Sequence, residues 1–161
     1  MFDTKIGKYD CAVHLPPKKQ EGLPLILYLH GAGVREEGTL LSLKTSKMLR
    51  CLEENPEYPA VVVAPLLGDK QNFWIAELPF LRELLDKATA LYSCNPQRVF
   101  VTGASMGGFG TWYLAQRYPD RFAGIAPVCG GGMPWCAGGL KMPIRAFHGT
   151  EDTVVDVRES T

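Results

Sequence analysis

The pentapeptide Gly103-Ala104-Ser105-Met106-Gly107 sets one hydroxyl between two glycines. It follows the apolar run Arg98–Thr102 and opens a helical stretch, Phe109–Arg117. A G-x-S-x-G sequence on a strand-to-helix turn is a nucleophile elbow. Glycines flank the serine because a Cβ at either place would strike the strand or the helix. The turn lifts the Ser105 hydroxyl above the C-terminal edge of a sheet, and the helix beneath offers backbone N–H groups where an oxyanion could form. The chemistry that this pattern predicts is acyl transfer through a serine; the alternative is a glycine-rich strand–helix turn that holds an ordinary serine. A nucleotide-binding loop is the competing use of such glycines. It fails here, because serine stands where the second glycine of G-x-G-x-x-G would fall and no G-K-[ST] triplet occurs.

A second turn, His30-Gly31-Ala32-Gly33, follows the apolar run Leu25–His30. An H-G-x-G turn at that place supplies the other oxyanion-hole donor, so the two N–H groups are assigned to Ala32 and Met106. His30 reads as a residue that holds the loop by hydrogen bonds. A third turn, His148-Gly149-Thr150-Glu151-Asp152, carries carboxylates just past a strand end. Such an acid can orient a catalytic imidazole; Asp152 is favoured over Glu151 and Asp156. The alternative is a solvated loop acid that caps the next helix. Phe73, Trp74, Met133 and Trp135 lie on loops after strands and could stack on an aryl or sugar-linked acyl group. Core covering is the competing use of these aromatics.

These residues need elements to hold them. Tyr9–Leu15, Leu25–His30, Ala60–Ala64, Arg98–Thr102, Phe122–Val128 and Ile144–His148 read as strands, several of them apolar on both faces as in a parallel sheet. Leu40–Glu54, Ile75–Tyr92 and Phe109–Arg117 carry apolar residues near a helical period. Pro79 fits inside the first turn of the second of these, and Gly31 to Gly38 reads as a loop. Strands alternating with helices predict an α/β domain with a mainly parallel sheet flanked by helices.

The chain has 161 residues, which suits one domain. Seventeen Lys and Arg balance seventeen Asp and Glu, so no basic face for nucleic acid is expected. No apolar run reaches the roughly 20 residues of a membrane-spanning helix, and the N-terminus MFDTKIGKYDC has no signal-peptide core. Five cysteines without a C-x-x-C read as reduced thiols of a cytoplasmic protein; a Cys129–Cys136 disulfide across the glycine-rich loop is the alternative.

Together the stretches PLILYLHGAG, PAVVVAP, NPQRVFVTGASMGGFGTWYLAQRYPDRFAGIAPVCGGG and IRAFHGTEDTVVDV resemble the α/β-hydrolase superfamily. The closer resemblance is to its carboxylesterase/phospholipase-like "predicted peptidase" esterase group, related to feruloyl and acetylxylan esterases. It covers the chain from about Tyr9 onward. It implies an α/β-hydrolase fold, a small-molecule ester as substrate, and no cofactor or metal. The serine of GASMGG, the nucleophile of the family, corresponds to Ser105, and the aspartate of HG-x-x-D-x-V-V corresponds to Asp152.

In that family the catalytic histidine follows the acid. Here TVVDVREST follows Asp152 without a histidine, and the chain's histidines are His14, His30 and His148. The expectation is a C-terminally truncated hydrolase domain in which nucleophile, oxyanion hole and acid are present and the base is not. His148 is a minor candidate as surrogate base. A base donated by a second chain is another route. The alternative function is a non-catalytic binding or interaction module, with the strand Ile144–His148 exposed as an edge through which a homodimer could form.

Overall fold

The computed structural model describes residues 1–18 and 20–160. Among them a six-stranded sheet runs in the order β1-β2-β4-β3-β5-β6. Its strands are β1 (Phe2–Ile6), β2 (Tyr9–His14), β3 (Leu25–Leu29), β4 (Val61–Pro65), β5 (Val99–Ala104) and β6 (Gly124–Val128). β3 is parallel to both β4 and β5, and β5 is parallel to β6. The β1–β2 hairpin is antiparallel and adds to β4 antiparallel. The sheet is thus mainly parallel, with helices on its two faces, as the strand–helix alternation predicts.

Alternation along the strands decides what each face buries. Leu25, Leu27 and Leu29 of β3, with Val61, Val63, Val99 and Val101, face helices α4 (Leu78–Leu91) and α5 (Met106–Arg117). The intervening Tyr28, Val62 and Ala64 face Leu43, Leu49 and Leu52 of α2 (Leu40–Lys44) and α3 (Lys47–Glu54). Each such leucine contributes about 1.5–3 kcal/mol by leaving water. This two-sided burial is why the strand runs are continuously apolar.

Four elements differ from the sequence expectation. The Leu40–Glu54 segment breaks into α2 and α3 at Thr45-Ser46. Thr45 donates its hydroxyl to the Ser42 carbonyl at 3.0 Å, and Ser46 takes extended backbone and starts the next helix. The loop after β3 winds into α1 (Ala32–Glu37), closed by Gly38 in the left-handed conformation. β1 escapes a pattern reading because only its last residue, Ile6, is buried. The Ile144–His148 segment lies beside β6 as two separate parallel bridges, Ile125↔Ile144 and Val128↔Phe147, instead of an unbroken strand. Arg145 N–H donates to the Ile125 carbonyl and Phe147 N–H to the Pro127 carbonyl. The return bond between them would need an N–H on Pro127, which proline lacks.

Candidate active site

Ser105 joins β5 to α5 at φ 55°, ψ −118°. A non-glycine residue in this region costs on the order of 1–3 kcal/mol and persists only when its surroundings impose it. Here they do. Ser105 N–H donates to the Val128 carbonyl at 2.9 Å, and its own carbonyl accepts from Phe109 N–H at 3.0 Å. A Cβ on Gly103 would stand 2.5 Å from the carbonyl oxygens of both Leu29 and Gly107. One on Gly107 would overlap the Leu29 carbonyl. The start of α5 is therefore pressed against the end of β3, and the elbow cannot relax without parting helix from sheet. Gly130 packs against Gly108 in the same way from the loop after β6.

The Gly31 turn lies directly against this elbow. A Cβ on Gly31 would sit 3.3 Å from the Ala104 carbonyl and 3.7 Å from Ser105 Cβ. Ala32 and Met106 are the first residues of α1 and α5, and first-turn N–H groups have no acceptor within their own helix. Both residues line, with Ser105, a cleft of about 310 Å³ whose other walls are Phe73, Trp74, Ile75 and Phe109. Among the described residues, no charged side chain lines it. Ile75 and Phe109 were not singled out by sequence. Both follow recognisable features, Ile75 the Phe73-Trp74 pair and Phe109 the elbow by four residues.

His30 holds the turn. It is fully buried, its Nε2 accepts from Leu67 N–H at 3.0 Å, and its Nδ1–H therefore donates to the Gly31 carbonyl at 2.9 Å. Burial pushes the imidazole down to about 4, against a smaller upward pull from the Gly31 bond, so it stays neutral near pH 7. Trp74 is buried as well. Its indole N–H donates to the His30 carbonyl at 2.9 Å, and its ring meets the imidazole edge-on at 5.0 Å. Trp74 is thus as much a support of the His30 turn as a wall of the cleft.

Asp152 lies on the turn beyond Phe147. Cys129 N–H, one residue after the Val128 carbonyl that holds Ser105, donates to the Phe147 carbonyl at 2.8 Å. Ser105 and the Asp152 turn therefore flank the same strand end, but Asp152 does not line the Ser105 cleft. Its Oδ1 accepts from the N–H groups of Val155 and Val154 at 3.0 and 2.9 Å, and these bonds lower its carboxyl below the usual range. His148 Nε2 is 2.8 Å from the Val155 carbonyl and 3.6 Å from Asp152 Oδ2; Nδ1 is 2.7 Å from Ser160 Oγ. Nε2 of His14 is 3.2 Å from the Tyr58 carbonyl. All three imidazoles are thus engaged away from Ser105.

Phe73 is half exposed at the cleft. Trp135 is four-fifths exposed on the 3-10 turn Pro134–Gly139 and lines no part of the cleft. Met133 lines a separate hollow with Trp112 and Gln116. All five cysteines are free, Cys129 and Cys136 included, so the alternative disulfide is not formed. No helix among the described residues is long and apolar enough to cross a membrane.

Residues 6–159 match the Esterase family model. The chain belongs to the esterase family. It is 30% identical over 142 residues to poly(3-hydroxyalkanoate) depolymerase C of Paucimonas lemoignei, an alignment covering 81% of this chain and 33% of the depolymerase. It is 26% identical over 156 residues to the bifunctional acetylxylan esterase/xylanase XynS20E of Neocallimastix patriciarum, covering 93% of this chain and 22% of that protein. The chain thus spans a third or less of these two relatives. Among solved structures, a thermostable esterase superposes with a TM-score of 0.70 and 28% identity over 99% of this chain and 48% of its own. The feruloyl esterase module from Clostridium thermocellum gives 0.72 at 16% identity, over 94% and 67%. The fold is that of the α/β-hydrolase esterases.

Proposed function

We propose that this esterase-family chain cleaves neutral carboxylic esters, short-chain or aryl, through an acyl-enzyme on Ser105. The observation that carries the reading is the apolar cleft that gathers Ser105, Ala32 and Met106 with Phe73 and Phe109. Ser105 Oγ attacks the ester carbonyl carbon, and its proton passes to an imidazole base that His14, His30 and His148 do not place at Ser105 and that a second chain would bring. The carbonyl oxygen gains negative charge and accepts from Ala32 and Met106 N–H. The tetrahedral species expels the alcohol, which takes the proton from the base. Water then attacks the acyl carbon, and the carboxylic acid leaves Ser105 free. Asp152 is the carboxylate that would orient the imidazole. An uncharged lining favours uncharged acyl groups, since a carboxylate or ammonium desolvated there would find no partner.

The test is 4-nitrophenyl acetate with the 161-residue chain and its Ser105→Ala variant. The expected result is an acetyl adduct on Ser105 by intact mass and nitrophenolate release above that of the variant. Equal release and no adduct overturn the reading for this chain. A second reading, a non-catalytic interaction module, is favoured by one observation: His14, His30 and His148 all have partners away from Ser105. In that case the half-exposed Ile144 and Phe147 are the edge through which a second copy would pair.

A further inference from the structure

Glu77 is a buried carboxylate that the ester chemistry does not use. It closes the 3-10 turn Trp74–Glu77 that leads into α4. Its Oε2 accepts from the Tyr9 hydroxyl and pairs with Lys8 Nζ at 2.5 Å, both on the β1–β2 hairpin. Its Oε1 accepts from Asn72 Nδ2 at 2.7 Å. Asn72 in turn accepts Phe73 N–H on its Oδ1 at 2.9 Å, and its carbonyl accepts from Arg35 at 3.1 Å. The Arg35 guanidinium sits 4.7 Å from the centre of the Phe73 ring. An exposed loop residue at the cleft is thus gripped through its backbone by Asn72 and through its ring by Arg35.

The geometry points to Glu77 as a positioning residue that, through Asn72, fixes Phe73 as the wall of the Ser105 cleft. The inference rests on that cleft being the acyl site. The direction of the hydrogen bonds makes the assignment specific. Asn72 Oδ1 is already committed to Phe73 N–H, so its Nδ2 needs an acceptor, and Glu77 supplies it on Oε1 while its Oε2 accepts from Tyr9. An aspartate at 72 would instead set two carboxylates against each other with no proton between them. The loop would then part from Glu77 and release Phe73 N–H.

The probe is 4-nitroacetophenone, a ketone with the shape of an aryl ester that cannot be hydrolysed. Binding is read from the methyl resonances of Ala32, Ile75 and Met106. The whole 161-residue chain should show saturable shifts. Phe73→Ala should weaken binding by about fivefold, the scale of one lost aromatic contact, and Asn72→Ala and Asn72→Asp should each weaken it by about threefold. In a Phe73→Ala background, Asn72→Ala should cost nothing further, because it acts through Phe73. The Glu77→Gln/Asn72→Asp double variant should recover most of the loss. The introduced amide then donates to the introduced carboxylate, and that carboxylate still accepts from Phe73 N–H. Thermal midpoints are recorded alongside, so that a merely structural role shows as lost stability without the recovery. Additive losses from Asn72→Ala and Phe73→Ala, or no recovery in the exchanged pair, overturn the inference while leaving the acyl site in place. No saturable shift in the unsubstituted chain removes the site itself, and both readings fall together.

Discussion

Around Ser105 the chain meets itself backbone to backbone, whereas around Asp152 it is held by side chains on an open turn. At the elbow, Gly103 and Gly107 press on the Leu29 carbonyl, Gly108 on that of Val128, and Gly130 on Gly108. At the acid turn, Asp152, His148 and Ser160 fasten the loop with their own polar atoms, and Val154 is nearly nine-tenths exposed. Among the described residues, nothing lies within 4 Å of a Cβ placed on Gly149. The two regions flank the same end of β6 but differ in what they tolerate. A steric constraint between main chains has no slack, while a turn held by side chains can move and re-form. The Ser105 scaffold is rigid before any ligand arrives; the Asp152 turn is adjustable.

The sharpest way to break this contrast is a paired glycine exchange. Gly107→Ala should destabilise the fold by on the order of 4 kcal/mol or abolish folding, since its methyl enters the Leu29 carbonyl. Gly149→Ala should fall within about 0.5 kcal/mol of the parent. Urea unfolding of both variants measures it. A Gly107→Ala protein as stable as Gly149→Ala would mean that α5 can lift off β3, and the elbow's rigidity would be lost as an explanation for the strained Ser105.

A second contrast is electrostatic and runs through His30. The folded protein keeps this imidazole neutral down to about pH 4, whereas the unfolded chain protonates it near 6.5. Between those values the unfolded state binds more protons, so stability rises with pH. The contribution is complete above about pH 6.5 and drains away as pH falls toward 4, for a total of about 3 kcal/mol. In His30→Asn that part of the slope should vanish, even though the variant starts less stable. Unfolding free energies at half-unit pH steps give the two slopes. Parallel curves would place the acid sensitivity elsewhere.

What could be read from sequence follows the same division. The strand–turn–helix around Ser105 is local: five consecutive residues and the apolar runs beside them determine it. The burial of His30 at a strand end was legible for the same reason. The Glu77–Tyr9 bond joins residues 68 apart, and no periodicity reports it. The Ile144–His148 run has the residues of a strand, but Pro127 on its neighbour leaves it as two separate bridges, which the run's own residues do not report. α1 was hidden by its glycines, because Gly31 and Gly38 mark a loop equally well whether or not one helical turn forms between them. Phe73 and Trp74 are adjacent in sequence, yet one is half exposed at the cleft and the other fully buried under His30. Composition does not separate such neighbours; only the packing of a distant loop does.

The smallest effect probes the acid turn itself. Asp152 Oδ1 accepts from both Val154 and Val155, and these bonds lower its carboxyl together with a smaller pull from His148. An asparagine keeps a carbonyl oxygen at that place and loses the charge; an alanine loses both. In Asp152→Ala the amides of Val154 and Val155 should exchange with solvent roughly two- to tenfold faster, the scale of one ordinary hydrogen bond each. In Asp152→Asn they should exchange at close to the parent rate. The amides of Ser105 and Phe109 should be unmoved in either variant, because their acceptors are the Val128 and Ser105 carbonyls. Hydrogen exchange by NMR resolves the four amides in one experiment. Faster exchange at Ser105 on losing Asp152 would show that the turn and the elbow open together, and the division between a rigid Ser105 elbow and an adjustable Asp152 turn would give way to a single cooperative unit around the end of β6.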